Sequence, residues 1–264
     1  MLKHKQHVIG ILFIIGVTFI SFMSVADAEE FHWGFKPSRD GATVEIGQPL
    51  EGLLEKYGAI YKGNGDQKVV YLTFDNGYEN GFTESILNTL REEKAPATFF
   101  LTGHYLTSAT DLVKTMIADG HSIGNHTDGH PNLTRLSASE MQKEWQQFDA
   151  KLKELTGIER TIYTRPPAGV FNEEVLKAGN EVGYRHMFWS IAFKDWIKDE
   201  RRGYEYAYNA LMNQLHPGAI ILMHTVAQDN AEALPKFIQE AKKQGYTFGS
   251  LDDVVLEYEG VVGW

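Results

Sequence analysis

Two histidines, His126 and His130, stand four residues apart in the run His-Thr-Asp-Gly-His. At that spacing two imidazoles can reach one metal ion from a helix or a tight loop, and Gly129 and Pro131 favour the loop. Two exposed loop histidines would look the same, so the pair alone leaves both readings open. Asp75 closes the apolar run Val69-Val-Tyr-Leu-Thr-Phe74 and is followed by Asn76-Gly77. A carboxylate there can ligate a metal, act as a general base or simply form a turn. Arg165 opens Arg-Pro-Pro-Ala-Gly169. Its prolines stiffen the backbone, which suits an Arg held against a buried carboxylate to keep it ionised, or an Arg on a proline-rich surface turn. Asp195, Trp196 and His224 lie further along. An Asp or Asn beside the two imidazoles would leave positions on a metal open to water, as hydrolytic sites require.

These residues need a scaffold to bring them together, and the apolar patterning supplies one. Runs at 69–74, 97–102, 122–125, 161–164, 185–190, 219–223 and 246–248 read as strands. Helical spacing or capping marks 83–92, 108–119, 137–155, 173–182, 204–215 and 231–244. Such alternation implies a parallel sheet with helical crossovers, an α/β fold, and seven strands suit a distorted (β/α) barrel better than an open sheet. In either architecture the site lies at the carboxyl ends of the strands. Asp75 and Asn76 follow the first strand, His126 and His130 the third, Arg165 the fourth and His224 the sixth, with Asp195 and Trp196 a little beyond the fifth. One histidine beside a strand is usually packing or surface; this many polar groups on one rim favour a site. His121 and His216 precede strands and are expected to be structural. His104 follows the second strand, where it can touch substrate or stabilise a loop.

Of the 264 residues, 43% are hydrophobic and 23% charged, which places the chain among globular proteins. Lys3 and Lys5, the apolar stretch from Val8 to Met23 and Ala26-Asp-Ala28 have the three-part layout of a secretory signal peptide over residues 1–28. Its apolar core is shorter than a spanning helix needs, so export with cleavage is expected, with no membrane span afterwards. Residues 29–65 are expected to be an extension packed on a main domain of 66–257, with 258–264 a tail. Removing residues 1–28 takes the formal charge from −10 to −11. That balance argues against nucleic acid as a partner without excluding an anionic wall polymer, because a cleft can differ from the total. There is no cysteine, so any metal must be held by His, Asp, Glu or Asn. The motifs show neither the paired carboxylates of a glycosidase nor a nucleophile elbow.

Five runs in order, Thr73-Phe-Asp-Asn-Gly77, His126-Thr-Asp-Gly-His130, Arg165-Pro-Pro-Ala-Gly169, Asp195-Trp196 and Leu222-Met-His224, resemble those of the polysaccharide deacetylases, the NodB-like carbohydrate esterase family 4. The likeness spans roughly residues 68–256. Thr73-Phe-Asp-Asn-Gly-Tyr-Glu-Asn-Gly81, His224-Thr-Val-Ala-Gln-Asp-Asn-Ala231 and Trp33-Gly-Phe35 resemble the delta-lactam-biosynthetic deacetylases, which act on N-acetylmuramic acid of peptidoglycan.

The resemblance implies a metal-dependent deacetylase working on peptidoglycan glycan strands outside the cell, with Zn²⁺, Co²⁺ or another divalent ion. It implies Asp75 as base, Arg165 as its holder, His126 and His130 as metal ligands, and His224 as acid, tuned by Asp195. Trp189, Trp196 and Leu222 would wall the acetyl pocket, and Tyr78 is a candidate sugar-stacking residue. Two departures from the family pattern bear on this. Asn76 replaces the usual second Asp, so a third ligand there would bring no charge. Ala168 replaces a frequent Tyr; its N–H can still serve an oxyanion, and the missing ring leaves room for a bulkier sugar. Rival expectations are a deacetylase of chitin-like N-acetylglucosamine polymers, and an inactive barrel that only binds glycan. A monomer is expected.

Overall fold

The computed structural model describes residues 29–198 and 200–261. The expected signal peptide lies outside the described residues, and no described helix is long and apolar enough to cross a membrane. In chain order the elements are β1 (Phe31–His32), α1 (Leu50–Lys56), β2 (Val69–Asn76), α2 (Thr83–Glu92), β3 (Ala97–Leu101), α3 (Gly103–Ser108), α4 (Thr110–Ala118), β4 (Ser122–Asn125), α5 (Ala138–Thr156), β5 (Tyr163–Thr164), β6 (Val170–Phe171), α6 (Glu173–Glu181), β7 (Arg185–His186), α7 (Tyr204–Gln214), β8 (Ala219–His224), α8 (Gln228–Lys243), β9 (Thr247–Phe248) and α9 (Leu251–Val261).

Seven strands form one parallel sheet in the order β7-β5-β4-β3-β2-β8, with β9 on the first two residues of β2. The sheet curls, and its two edges are linked by isolated bridges of Ile60 to Met187, Lys62 to Ala219 and Ile191 to Ile221. This is the distorted (β/α) barrel that the alternation implies.

The fifth expected strand, 185–190, is shorter than its apolar run suggests. Met187 N–H still reaches Thr164 O, but Phe188 N–H turns to Ile60 O at 2.7 Å and Ser190 N–H to Ile220 O at 2.9 Å. The segment is crossing the open side of the curl and changes partners as it goes. The expected helix 108–119 begins earlier and breaks at Ala109, whose φ of −131° is not helical. α1, α9 and the antiparallel β1–β6 pair were not foreseen. α5 starts where its sequence says it should: Ser137 and Glu140 form a reciprocal capping box, and Gly157 ends the helix at φ 81°.

Alternation along β2 decides which side chains serve the core and which serve the site. Val70, Leu72 and Phe74 are buried with Ile86, Leu87, Phe99 and Leu234, between the sheet and its helices. Each such fully buried side chain contributes roughly 1.5–3 kcal/mol. Tyr71, Thr73 and Asp75 take the other face. Tyr71 joins a second cluster with Phe100, Phe188 and Leu222 inside the curl, and Thr73 Oγ1 and Asp75 Oδ1 both accept from Arg165. Residues 29–65 reach the same face: Trp33 N–H donates to Gly169 O at 2.8 Å, and its ring stacks on Phe188 at 4.5 Å.

Candidate active site

At the carboxyl end of β2, Asp75 is in register with Phe100 on β3 and with His224 on β8. Adjacent parallel strands are about 4.8 Å apart and in-register side chains share a face, so a carboxylate and an imidazole are set side by side. Gly124 stands in register with Phe100 on the next strand; a Cβ there would meet the Phe100 ring at 2.4 Å. The space that Gly124 leaves lets Phe100 lie flat under Arg165, whose guanidinium carbon is 4.0 Å from the ring centroid.

Arg165 is fully buried. Its Nη1 donates to Asp75 Oδ1 at 2.7 Å and Thr73 Oγ1 at 2.9 Å, its Nε to Met187 O at 2.9 Å and its Nη2 to Phe188 O at 3.3 Å. A buried cation is tolerated only when paired and hydrogen-bonded in this way. Burial by itself would raise the Asp75 pKa. The Arg165 charge, with His126 and His224, outweighs it and holds the carboxyl below the ordinary range.

The β4–α5 loop carries both candidate ligands. His126 Nδ1 lies 2.8 Å from Arg165 O, and a carbonyl can only accept, so Nδ1 bears the proton. The free lone pair is then on Nε2, 3.6 Å from Asp75 Oδ2. Burial pushes the His126 pKa down to about 4, and burial also lowers that of His130. Both rings are therefore neutral at pH 7, with centroids 4.8 Å apart. Thr127 and His130 sit at positive φ, 68° and 57°. Non-glycine residues in that region are strained and collect at functional sites. Asp128 in this loop comes so close to Gly103 that a Cβ at 103 would meet its Oδ1 at 1.8 Å.

Opposite them, His224 Nδ1 bonds Asp195 Oδ1 at 2.8 Å while its backbone N–H donates to Oδ2 at 2.8 Å. Burial would lower the His224 pKa, but the charge and hydrogen bond of Asp195, with Asp75 nearby, raise it above its ordinary 6.5. Asp75 and His224 are thus biased toward opposite protonation states, which an acid–base pair needs.

These groups open on a cavity of about 910 Å³. Tyr78, Ala168, Trp189, Trp196 and Leu222 all line it, as do Asp75, His126, His130, His224 and His104. Trp196 is 53% exposed and its ring lies 6.1 Å from that of His224; with exposed Tyr78 it offers apolar faces suited to a sugar ring. Ala168 holds φ 54°. Asn76 does not join this group. It sits level with Leu101 and Asn125, is fully buried, and donates from Nδ2 to Thr225 Oγ1 at 2.6 Å, while its Oδ1 has no hydrogen-bond partner. Among the described residues no three His, Asp or Glu side chains close into a metal cluster. The expected ligand role of Asn76 is therefore not met on this face, and the donors present, two neutral imidazoles with Asp75 Oδ2 3.6 Å from His126 Nε2, fit an open site completed by water.

The family model for polysaccharide deacetylases matches residues 62–187. The peptidoglycan-N-acetylmuramic acid deacetylase PdaA of Bacillus subtilis is 47% identical over 231 residues, 88% of either chain. The chain belongs to the polysaccharide deacetylases, carbohydrate esterase family 4. It is a hydrolase of that family. The solved structure of PdaA superposes with a TM-score of 0.86 over 88% of this chain and 99% of that one. A peptidoglycan-N-acetylglucosamine deacetylase of Bacillus cereus is 33% identical over 72% of this chain and 89% of its own length.

Several residues of this deacetylase site escaped the sequence reading. Asn230 Nδ2 donates to Asp195 Oδ2 at 2.6 Å and to His224 O at 2.9 Å, tying the acid to its carboxylate. Asn80 Nδ2 holds Val226 O at 2.9 Å, and Glu79 accepts from Gly81 N–H, Thr83 and Tyr105, fixing the loop that presents Tyr78. The Tyr-Glu-Asn run is thus a loop brace, and its polar density was the available signal. Trp33, Phe35, Phe193 and Lys194 also line the cavity, brought there by long-range folding that local patterns do not encode. His121 and His216 lie away from it, as their places before strands imply; His121 borders a separate cavity of about 210 Å³.

Proposed function

We propose that this protein is a metal-dependent de-N-acetylase of N-acetylmuramic acid in peptidoglycan, exported and acting as a monomer on wall glycan strands. The observation that carries the chemistry is the in-register placement of Asp75 beside His224, one held by Arg165 and the other by Asp195. Asp75 takes the proton from the attacking water, and His224 gives one to the departing amine. Arg165 keeps Asp75 ionised, and Asp195 keeps His224 protonated. The Ala168 N–H serves the oxyanion, while Trp189, Trp196 and Leu222 wall the acetyl methyl and Tyr78 stacks on sugar. A divalent ion, Zn²⁺ or Co²⁺, held by His126 and His130 with water completing its shell, would polarise water and the acetyl carbonyl.

The muramic acid assignment draws on the 47% identity to PdaA and on the open space beside Ala168. The B. cereus relative keeps N-acetylglucosamine as the second reading. Acetate release and mass spectrometry on stem-free peptidoglycan and on chitin oligomers decide between them: acetate lost from muramic residues is expected, and loss confined to glucosamine residues would replace the first reading by the second. Chelation should abolish the activity and Zn²⁺ or Co²⁺ restore it; full activity in a rigorously metal-free sample removes the metal from the mechanism.

A further inference from the structure

Lys194 is the only Lys or Arg among the described residues lining the cavity. The two carboxylates that line it already have cations of their own, Asp75 with Arg165 at 2.7 Å and Asp128 with Lys151 at 2.6 Å. Lys194 Nζ rests 2.9 Å from Glu200 Oε2, but Glu200 also accepts from Arg202, Nη2 at 2.6 Å and Nε at 2.9 Å. Glu200 would therefore stay paired if Lys194 took another anion. The site thus presents a cation that neither the acid–base chemistry nor the fold requires.

Its location says which anion. Lys194 directly precedes Asp195, which holds His224, and lies two residues before Trp196. When an amide nitrogen sits at His224, the substituent on the neighbouring sugar carbon lies a few ångströms away. In muramic acid that substituent is a lactyl ether ending in a carboxylate; in glucosamine it is a neutral hydroxyl. We propose that Lys194 forms a carboxylate-binding subsite for the lactyl group and so selects muramic acid residues over glucosamine residues. This rests on the proposed muramic acid deacetylation and supplies its specificity determinant.

The test uses the mature chain on stem-free glycan with the lactyl carboxylate free, on the same glycan methyl-esterified, and on chitin oligomers. A charge-assisted hydrogen bond of this kind is worth ~10–100-fold, so Lys194→Met should lower kcat/KM on the free acid by about that factor, mainly through KM. Lys194→Arg should recover most of it. On the ester, Lys194→Met should cost only about two-fold, the signature of a lost pairwise contact. Equal losses on acid and ester, or none on either, overturn the subsite while leaving the deacetylase reading intact. Wild-type activity on chitin oligomers with none on muramic residues overturns the substrate reading, and the subsite with it.

Discussion

Two sets of histidines in this chain differ in exposure and in company: of the first, His126 is buried, His224 half-buried and His130 exposed. His126, His130 and His224 stand at the carboxyl ends of strands and line one cavity. His126 and His224 each have one ring nitrogen tied, by Arg165 O or by Asp195, leaving the other free. His121, His186 and His216 are buried elsewhere. His216 is satisfied by Ser190 Oγ and Gln214 O, while neither nitrogen of His121 or His186 has a hydrogen-bond partner. Burial lowers the pKa of all three. Only His224, of the two sets, is raised, because a carboxylate is bonded to it. Burial thus makes a histidine neutral; a placed carboxylate makes it an acid.

The comparison breaks most sharply through the reacting pair. Asp75→Asn and His224→Ala should each lower turnover by ~10²–10⁴-fold, the usual worth of one proton-transfer partner, whereas His216→Ala should leave the kcat of the folded enzyme near wild type. Near-wild-type turnover in either rim variant would remove that residue from the mechanism. Next in size is Arg165→Met. It strands Asp75 in a buried site without its cation, which costs about 3–5 kcal/mol of stability. Chemical denaturation should show that loss, and the double variant with Asp75→Asn should lose less than the sum.

Much of this was legible in the sequence, and physics explains the boundary. The rule that parallel α/β sites lie beyond strand carboxyl ends was enough to collect Asp75, His126, Arg165 and His224, because each adjoins an apolar run that fixes its place. Period-two alternation in residues 69–76 sets Asn76 on the face opposite Asp75, since adjacent strand residues face opposite ways, so the expected third ligand is the motif residue that strand geometry argues against. Asn230, Trp33 and Lys194 were not legible as site residues: each reaches the cavity through a segment whose course is set by distant contacts, such as Trp33 Nε1–H on Trp189 O across 156 positions. The shortened β7 was hidden for the same reason, its apolar run being shared among three partners, at Thr164, Ile60 and Ile220.

The partnerless set can be tested by acid. Burial takes the His186 pKa down to about 4 from an ordinary 6.5, so the unfolded chain takes up this proton first. Between those values stability falls as pH falls, by on the order of 3 kcal/mol for this residue at pH 4, with nothing lost above pH 6.5. His186→Leu should flatten the slope of unfolding free energy against pH across that window. An unchanged slope would mean that His186 does not stay neutral.

The smallest effect is the most diagnostic of what sets the rim apart. His224 works protonated, so activity is lost as pH rises through its pKa, which Asp195 raises. Asp195→Asn removes that charge and leaves the burial, so the alkaline limb of kcat/KM should move to lower pH, with a loss of ~10-fold at neutral pH. Lowering the pH should recover part of it. The variant also replaces an oxygen that accepts from the His224 N–H and from Asn230 with an amide that can present only one, which costs about 1–3 kcal/mol of stability. The two consequences separate by pH: a purely structural Asp195 would lower activity equally across the profile, and only an electrostatic one moves the limb.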